Sequence, residues 1–341
     1  MKNIINKIED ANLVGRGGAC FPVYLKWQAV ACAKGREKYL IINGAEGEPG
    51  IYKDGYIIKK YLPELSLGVK IAFDYIKAEK IFFYLNHKYF KLYQKNIIKE
   101  FNKVGLKGKF IIFVKPQNSG YIGGEESTAL NIIEGQHLEP RLRPPFPTEK
   151  GLFGKPTLIN NVETLFNVGL VSQNKYENKR FYSINIGSKN KGVYFLSSDL
   201  TIKEILQQTN NYPKYSFFVQ VGGDASGEVL NQKQLDQEVS GAGSITIHNL
   251  KDHQPFELIN YWLRFFADSS CGQCTPCREG TYRLLELFNN VKNKNKKGLK
   301  ELYNNQDYLD LCQSLRLSSF CALGCSVPIA ISSYFKNILN I

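Results

Sequence analysis

Two familiar nucleotide signatures are missing from this 341-residue chain. No Gly-x4-Gly-Lys-Ser/Thr run occurs, which excludes a Walker-type phosphate loop, and no Gly-x-Gly-x-x-Gly follows a strand-like segment, which excludes the ordinary dinucleotide fingerprint. Long apolar runs are missing as well. Tyr39–Ile42 and Lys80–Leu85 fall far short of a membrane span, and Met1–Asn6 lacks the apolar core of a signal peptide, so a cytoplasmic protein without direct membrane insertion is expected. Acidic residues are outnumbered, 31 against 44 Lys and Arg, for a net charge of +13. Nucleic acid is nonetheless not expected: the lysines are scattered and interleaved with asparagine, as in Val291–Lys297, which is the pattern of a solvated loop and not of a phosphate-reading face.

What the chain does have is a cysteine pattern. Cys271-Gly-Gln-Cys274-Thr-Pro-Cys277 sets three of the eight cysteines at two-residue spacings, with Cys321 far downstream. Three thiolates so close in sequence cannot staple distant loops, but they fit three corners of a cubane iron–sulfur cluster. Zinc usually shows two separated pairs, whereas the second half offers Cys321 and, beyond it, Cys325. The remaining thiols, Cys20, Cys32, Cys312 and Cys325, are expected as small buried hydrophobes in a reducing compartment.

Upstream, Gly15-Arg-Gly-Gly-Ala-Cys-Phe-Pro22 is a glycine-dense loop whose amides can approach an anion closely. A strand over Lys38–Asn43 runs into Gly44-Ala-Glu46-Gly-Glu48-Pro-Gly50. Apolar steps of three and four residues predict one helix from Lys59 to Ile76 and a second carrying Phe90, Ile97 and Phe101, separated by strands at Lys80–Leu85 and Phe110–Val114. This alternation argues a parallel sheet with helices on both faces. A second glycine turn, Tyr121-Ile-Gly-Gly124-Glu125-Glu126, opens the next helix, where the paired carboxylates either favour the helix dipole or accept from ribose hydroxyls. The proline-rich Pro140–Pro147 is expected to be a stiff surface segment presenting arginines and a phenylalanine. From Phe181 to His248, short strands surround one helix at Ile202–Gln208. From Phe256 onward the chain is helical, with Leu258, Tyr261, Trp262 and Phe265 on one face, and the cysteines lie on its turns.

Taken together, Gly15–Pro22 with Leu25-Lys-Trp27, Asn43–Asp54, Tyr121–Glu126, Pro144–Pro147, Gly154–Thr157 with Asn160–Thr164, and Ser270–Arg278 resemble, in this order, the NADH-binding flavoprotein subunit of respiratory complex I. The same core is shared with diaphorase subunits of NAD-linked hydrogenases and formate dehydrogenases. The resemblance implies an α/β fold in three parts. These are a Rossmann-like FMN domain with a parallel sheet over residues 1–178, a ubiquitin-like β-grasp domain of the soluble-ligand-binding type over 179–249, and a helical bundle with one [4Fe-4S] cluster over 250–341. It implies NADH dehydrogenase activity, with hydride passing to FMN and single electrons passing to the cluster. By motif position FMN would be held by Gly15, Gly17, Lys26, Asn43, Glu46, Gly124, Glu125, Asn160, Asn161 and Thr164, with Glu46 and Glu125 near the flavin. NADH would meet Phe21, Glu48, Tyr121, Glu126, Arg143 and Phe146, the carboxylates favouring NAD over NADP. Cys271, Cys274, Cys277 and Cys321 would ligate the cluster. Partners would be a [2Fe-2S] subunit and a larger iron–sulfur subunit, through which the chain could sit at the cytoplasmic face of a membrane. The chain departs from the family's usual residues at Cys20, Ala29, Ala45 and Cys325. A cofactor-poor structural subunit is the alternative that Ala45 motivates.

Overall fold

The structure, a computed structural model, describes residues 4–341 and places them in two compact units; the first three residues of the Met1–Asn6 segment lie outside this range. The first unit comprises residues 1–47 and 52–181, the second residues 48–51 and 182–341.

In the first unit, α1 (Ile4–Asp10) and α2 (Val23–Cys32) flank the glycine loop and precede β1 (Tyr39–Gly44). Then follow α3 (Lys53–Lys60), α4 (Leu62–Ile76), β2 (Lys80–Leu85), α5 (His87–Lys103), β3 (Phe110–Val114), α6 (Glu126–Ile133), α7 (Pro147–Lys150), β4 (Thr157–Asn161) and α8 (Val162–Ser172). The four strands form an all-parallel sheet in the order β3-β2-β1-β4. Strand alternation sends Ile41, Phe82, Tyr84 and Ile159 to one face, where Ala129 and Leu130 of α6 cover them. On the other face Phe83 stacks on Phe101 of α5 at 5.9 Å. Both faces are therefore covered, as the β-α alternation predicts.

The helix expected over Lys59–Ile76 is instead two, broken at Tyr61 (φ −132°), because Pro63 can open a helix but cannot donate within one. Helices α4 and α8 cross in backbone contact: a Cβ on Gly68 would overlap the Leu165 carbonyl, and one on Gly169 the Glu64 carbonyl.

The chain enters the second unit within β5 (Lys179–Ile186), continuing through β6 (Lys189–Ser197), α9 (Ile202–Gln208), β7 (Phe217–Val221), β8 (Glu228–Asn231) and β9 (Ser244–Asn249). These make a mixed five-stranded sheet, β6-β5-β9-β7-β8, whose core packs Ile202, Ile205 and Leu206 of α9 against Phe217, Val219 and Ile247. Five α-helices follow, α10 (Pro255–Ser269), α11 (Thr275–Asn289), α12 (Lys296–Tyr303), α13 (Gln306–Ser318) and α14 (Ala322–Tyr334), the last running on into a π-helical turn over Phe335–Leu339. On α10 the buried stripe is Ile259, Trp262, Leu263 and Phe266, turned from the expected face; Tyr261 is exposed. Trp262 fixes the rotation by donating its indole N–H to the Asp224 carbonyl at 3.0 Å. Among the described residues no helix is long and apolar enough to cross a membrane.

Candidate functional site

In open α/β sheets ligands bind beyond the carboxyl ends of the strands, and the motif residues of the first unit collect there. At the end of β4, Asn161 caps α8, its side-chain oxygen accepting from Glu163 N at 2.9 Å and from Lys53 Nζ at 3.0 Å. Its amide nitrogen donates to Asp54 Oδ2 at 2.8 Å. The glycine loop sits on this cap. Arg16 N donates to Thr164 Oγ1 at 2.9 Å, and a Cβ on Gly17 would lie 3.3 Å from Asn161 Cβ, so Gly17 permits the close approach. Gly18 has φ +110°, which a residue with a side chain rarely adopts. Asn160 accepts from the Trp27 indole at 2.8 Å, tying β4 to α2. Asn43, near the end of β1, donates to the Gly124 carbonyl at 3.0 Å and so ties β1 to the second glycine turn.

Beneath the cradle lies a buried charge cluster. Lys53 Nζ is 2.8 Å from Asp54 and 3.1 Å from Glu163, and all three side chains are almost fully removed from solvent. Burial opposes the Lys53 charge, but Asp54, Glu163 and Glu46 outweigh it and hold the ammonium protonated well above its ordinary range. Three carboxyls around one cation cannot all ionise cheaply. Burial first, then the Asp54 charge, pushes Glu46 up to about 7. Glu46 accepts from Asp54 N at 2.7 Å and from the Tyr89 hydroxyl, and Gly55 leaves room for the Tyr89 ring.

A second group forms around α6. Glu125 is its N-cap, accepting from Ser127 N at 2.9 Å and Thr128 N at 2.8 Å, and its other oxygen pairs with Arg143 at 2.6 Å. Glu126 pairs with Lys26 at 2.8 Å and Arg143 at 3.1 Å. Burial alone would raise the Glu126 carboxyl; the Lys26 and Arg143 charges prevail and hold it below the ordinary range. The arginines expected to be presented by the proline segment are thus engaged: Arg141 reaches Glu134 at 2.8 Å and the Gly151 carbonyl at 2.9 Å. Phe21 and Phe146 project half-exposed, 51% and 50%, as free ring faces need, and Tyr121 is half-buried at the head of the second glycine turn. Glu48 stands apart, in the second unit, where its carboxylate accepts from Ala225 N and Ser226 N, both at 3.1 Å.

In the second unit Cys274 caps α11, Cys277 lies in its first turn and Cys321 caps α14. A Cβ on Gly324 would lie 3.2 Å from Cys277 Cβ, so the first turns of α11 and α14 are in contact. Burial pushes the Cys277 thiol up to about 11; the Ser270 hydroxyl at 3.3 Å opposes this, and the thiols of Cys274, Cys271 and Cys325 add to it. The donor set fits a thiolate-binding iron cluster: Cys274 and Cys277 are buried, Cys271 and Cys321 are half-buried, and bound iron would hold as a thiolate the Cys277 sulfur that burial keeps protonated. Among the described residues no three metal-ligating side chains converge on one ion; a cubane asks for none, since each thiolate binds its own iron. Of the thiols expected to be buried, Cys20 and Cys32 are exposed and Cys312 and Cys325 half-buried. Cys20 lies in the exposed glycine loop with φ +51°, and Cys32 ends α2, so neither position has a core to join.

Two family models match the chain. The Nuo51 FMN-binding domain covers residues 8–170, and the NADH-ubiquinone oxidoreductase-F iron-sulfur binding region covers residues 257–338. The NADH-quinone oxidoreductase F subunit of Salmonella typhimurium is 33% identical over 81% of this chain and 70% of its own. The chain belongs to the NADH dehydrogenase flavoprotein-subunit family. The corresponding NADH-quinone oxidoreductase protein of Streptomyces coelicolor is 29% identical over 98% of this chain and 81% of that protein. The family extends to the alpha subunit of the NAD-reducing hydrogenase HoxS of Cupriavidus necator, 31% identical over 96% of this chain, which spans 58% of that subunit. A crystal structure of an NAD+-reducing [NiFe]-hydrogenase superposes with a TM-score of 0.86 at 27% identity, over 98% of this chain and 60% of that one. As a family member the chain is an NADH oxidoreductase flavoprotein subunit with an FMN-binding domain and a [4Fe-4S] region.

Sequence reasoning overlooked Tyr89, Glu163 as the partner of Lys53, and Lys115. Glu163 lay inside a quoted motif, and its place after an Asn cap was the available signal. Tyr89 and Lys115 follow the ends of β2 and β3.

Proposed function

We propose that the chain takes hydride from NADH at an FMN held across the strand ends of the first unit and passes electrons to a [4Fe-4S] cluster on Cys271, Cys274, Cys277 and Cys321. FMN, when bound, supplies the step from two-electron to one-electron chemistry. The amides of Gly17 and Gly18 would hold its phosphate, with Gly15, Asn160, Asn161 and Thr164 shaping the loop and cap around it. Asn43, Glu46 and Gly124 border its ring. Phe21 and Phe146 offer stacking faces to the dinucleotide, and Tyr121 and Glu126 flank it. Lys26 and Glu125 act through their neighbours: Lys26 fixes Glu126, and Glu125 fixes the start of α6 and Arg143. The observation that carries this reading is the buried Lys53–Asp54–Glu163–Asn161 network at the end of a parallel strand, against whose Asn161 the glycine loop packs closely at Gly17.

The chain would hand electrons to a [2Fe-2S] subunit and a larger iron–sulfur subunit. A second reading, the diaphorase of an NAD-linked hydrogenase, is favoured by the hydrogenase superposition, and co-purifying partners separate the two. The activity itself is tested by NADH-dependent ferricyanide reduction with reconstituted protein. Turnover that tracks FMN content supports the reading; a folded, cluster-loaded protein with neither flavin nor turnover overturns it.

A further inference from the structure

Lys115 is a buried cation that the proposed hydride path does not use. It directly follows β3 and is 8% exposed. Its ammonium donates to the Gly120 carbonyl at 2.6 Å, and among the described residues no carboxylate forms an ion pair with it. An ammonium has three N–H donors, so this arrangement leaves two without a protein acceptor inside a desolvated pocket. Burial alone acts on its protonation, pulling it down to about 8, with no carboxylate opposing the pull.

The surroundings show where those donors belong. A Cβ on Gly47 would lie 3.1 Å from Lys115 Nζ and 3.5 Å from the Tyr121 carbonyl oxygen, and one on Gly123 would lie 3.0 Å from Lys115 Cε. The ammonium thus sits where the loop after β1 meets the turn Gly120–Gly124. Asn86, at the end of β2, donates to the Ala45 carbonyl at 3.0 Å and closes the same corner. Ala45, a buried residue of this loop, brings no charge to it. Lys115 leaves the end of β3, but its ammonium reaches back to the loop after β1, the strand next to β4 in the order β3-β2-β1-β4, and the glycine loop and the Asn161 cap lie at β4. A mononucleotide whose phosphate is held at β4 would extend its ring over the loop after β1, towards this ammonium.

We propose that Lys115 is the cation that offsets the negative charge of the reduced flavin ring and so sets the potential of FMN in this protein. Hydride from NADH carries one proton and two electrons. NADH leaves as NAD+, and the ring gains one negative charge relative to its oxidised form. A positive charge fixed beside the ring favours the reduced form without having to move when the charge arrives. Lys115 has no protein counter-ion because its partner is present only after reduction.

This inference rests on the FMN reading of the first unit, and the test separates the two. The flavin midpoint potential is measured by equilibrium dye titration of FMN-loaded wild type, Lys115→Met and Lys115→Arg, with FMN content and NADH affinity recorded for each. Lys115→Gln serves as a second neutral variant should the methionine protein not fold. The neutral variants are expected to keep FMN while their preference for reduced over oxidised FMN falls about tenfold, which is roughly 30 mV more negative for a two-electron couple. The arginine variant should stay near wild type. A folded, FMN-loaded neutral variant with unchanged potential overturns the proposal, and so does a tenfold loss of NADH affinity at unchanged potential, which would assign Lys115 to the dinucleotide. A wild-type protein that binds no FMN would instead bring down the parent reading.

Discussion

Replacing Lys53 by methionine perturbs the first unit at its most charged point. The side chain is nearly isosteric, so the change is chiefly the loss of one charge between Asp54 at 2.8 Å and Glu163 at 3.1 Å. At an effective dielectric of 20, a pair 3 Å apart interacts by about 5 kcal/mol before desolvation is counted. Removing one partner of a buried pair typically destabilises by about 3–5 kcal/mol, because the other charge is left unpaired. For a unit of this size that lowers Tm by roughly 6–20 °C. The sign with pH follows from the carboxyls. Glu46 and Asp54 already bind protons more tightly folded than unfolded, and losing Lys53 removes the charge that opposes this, so the native state loses stability as pH rises through their folded values. Unfolding at matched FMN occupancy should therefore show a smaller deficit at pH 5.5 than at pH 8. A deficit below about 1 kcal/mol, or one equal at the two pH values, would refute the reasoning.

Glu46, raised from 4.5 to about 7, keeps its proton more readily folded than unfolded, so its contribution is full below about 4.5 and is lost as pH rises through 7. Glu46→Gln should flatten that slope and recover about 1–3 kcal/mol at pH 8, read by urea titration at several pH values. Gly68→Ala should destabilise by about 1–3 kcal/mol despite alanine's better helix propensity, since its methyl would meet the Leu165 carbonyl; a neutral or stabilising result in thermal unfolding would contradict the backbone contact. Glu125→Ala should lose about 1–2 kcal/mol with the cap of α6, whereas Glu125→Gln, which keeps an acceptor, should lose less. Cys321→Ser should lose the [4Fe-4S] signal while Cys325→Ser keeps it; the reverse pattern would move the fourth ligand one turn along α14.

Much of this was legible because it is local. Strict β-α alternation around Tyr39–Gly44, Lys80–Leu85 and Phe110–Val114 reads as a parallel sheet before any contact is known, and the thiol spacing at Cys271–Cys277 reads as a cluster site. The break at Tyr61 was written in Pro63 and was overridden by the apolar period running through it. The roles of Glu125 and Glu126 were not legible, since either a helix cap or a ribose contact uses the same carboxylate. Only the positions of Arg143 and Lys26, 18 residues downstream and 100 upstream of their partners, show how the charges are engaged. Lys115 gives no sequence signal at all, because what distinguishes it is a missing carboxylate in three dimensions.

The central claim is that one chain carries electrons from NADH to iron through a flavin. Anaerobic titration of the purified, cluster-reconstituted protein with NADH, followed by flavin absorbance and by electron paramagnetic resonance, tests it most directly. The account predicts bleaching of a flavin band together with growth of a reduced [4Fe-4S] signal that Cys271→Ser abolishes. Folded protein whose flavin and cluster both remain oxidised under excess NADH would contradict it.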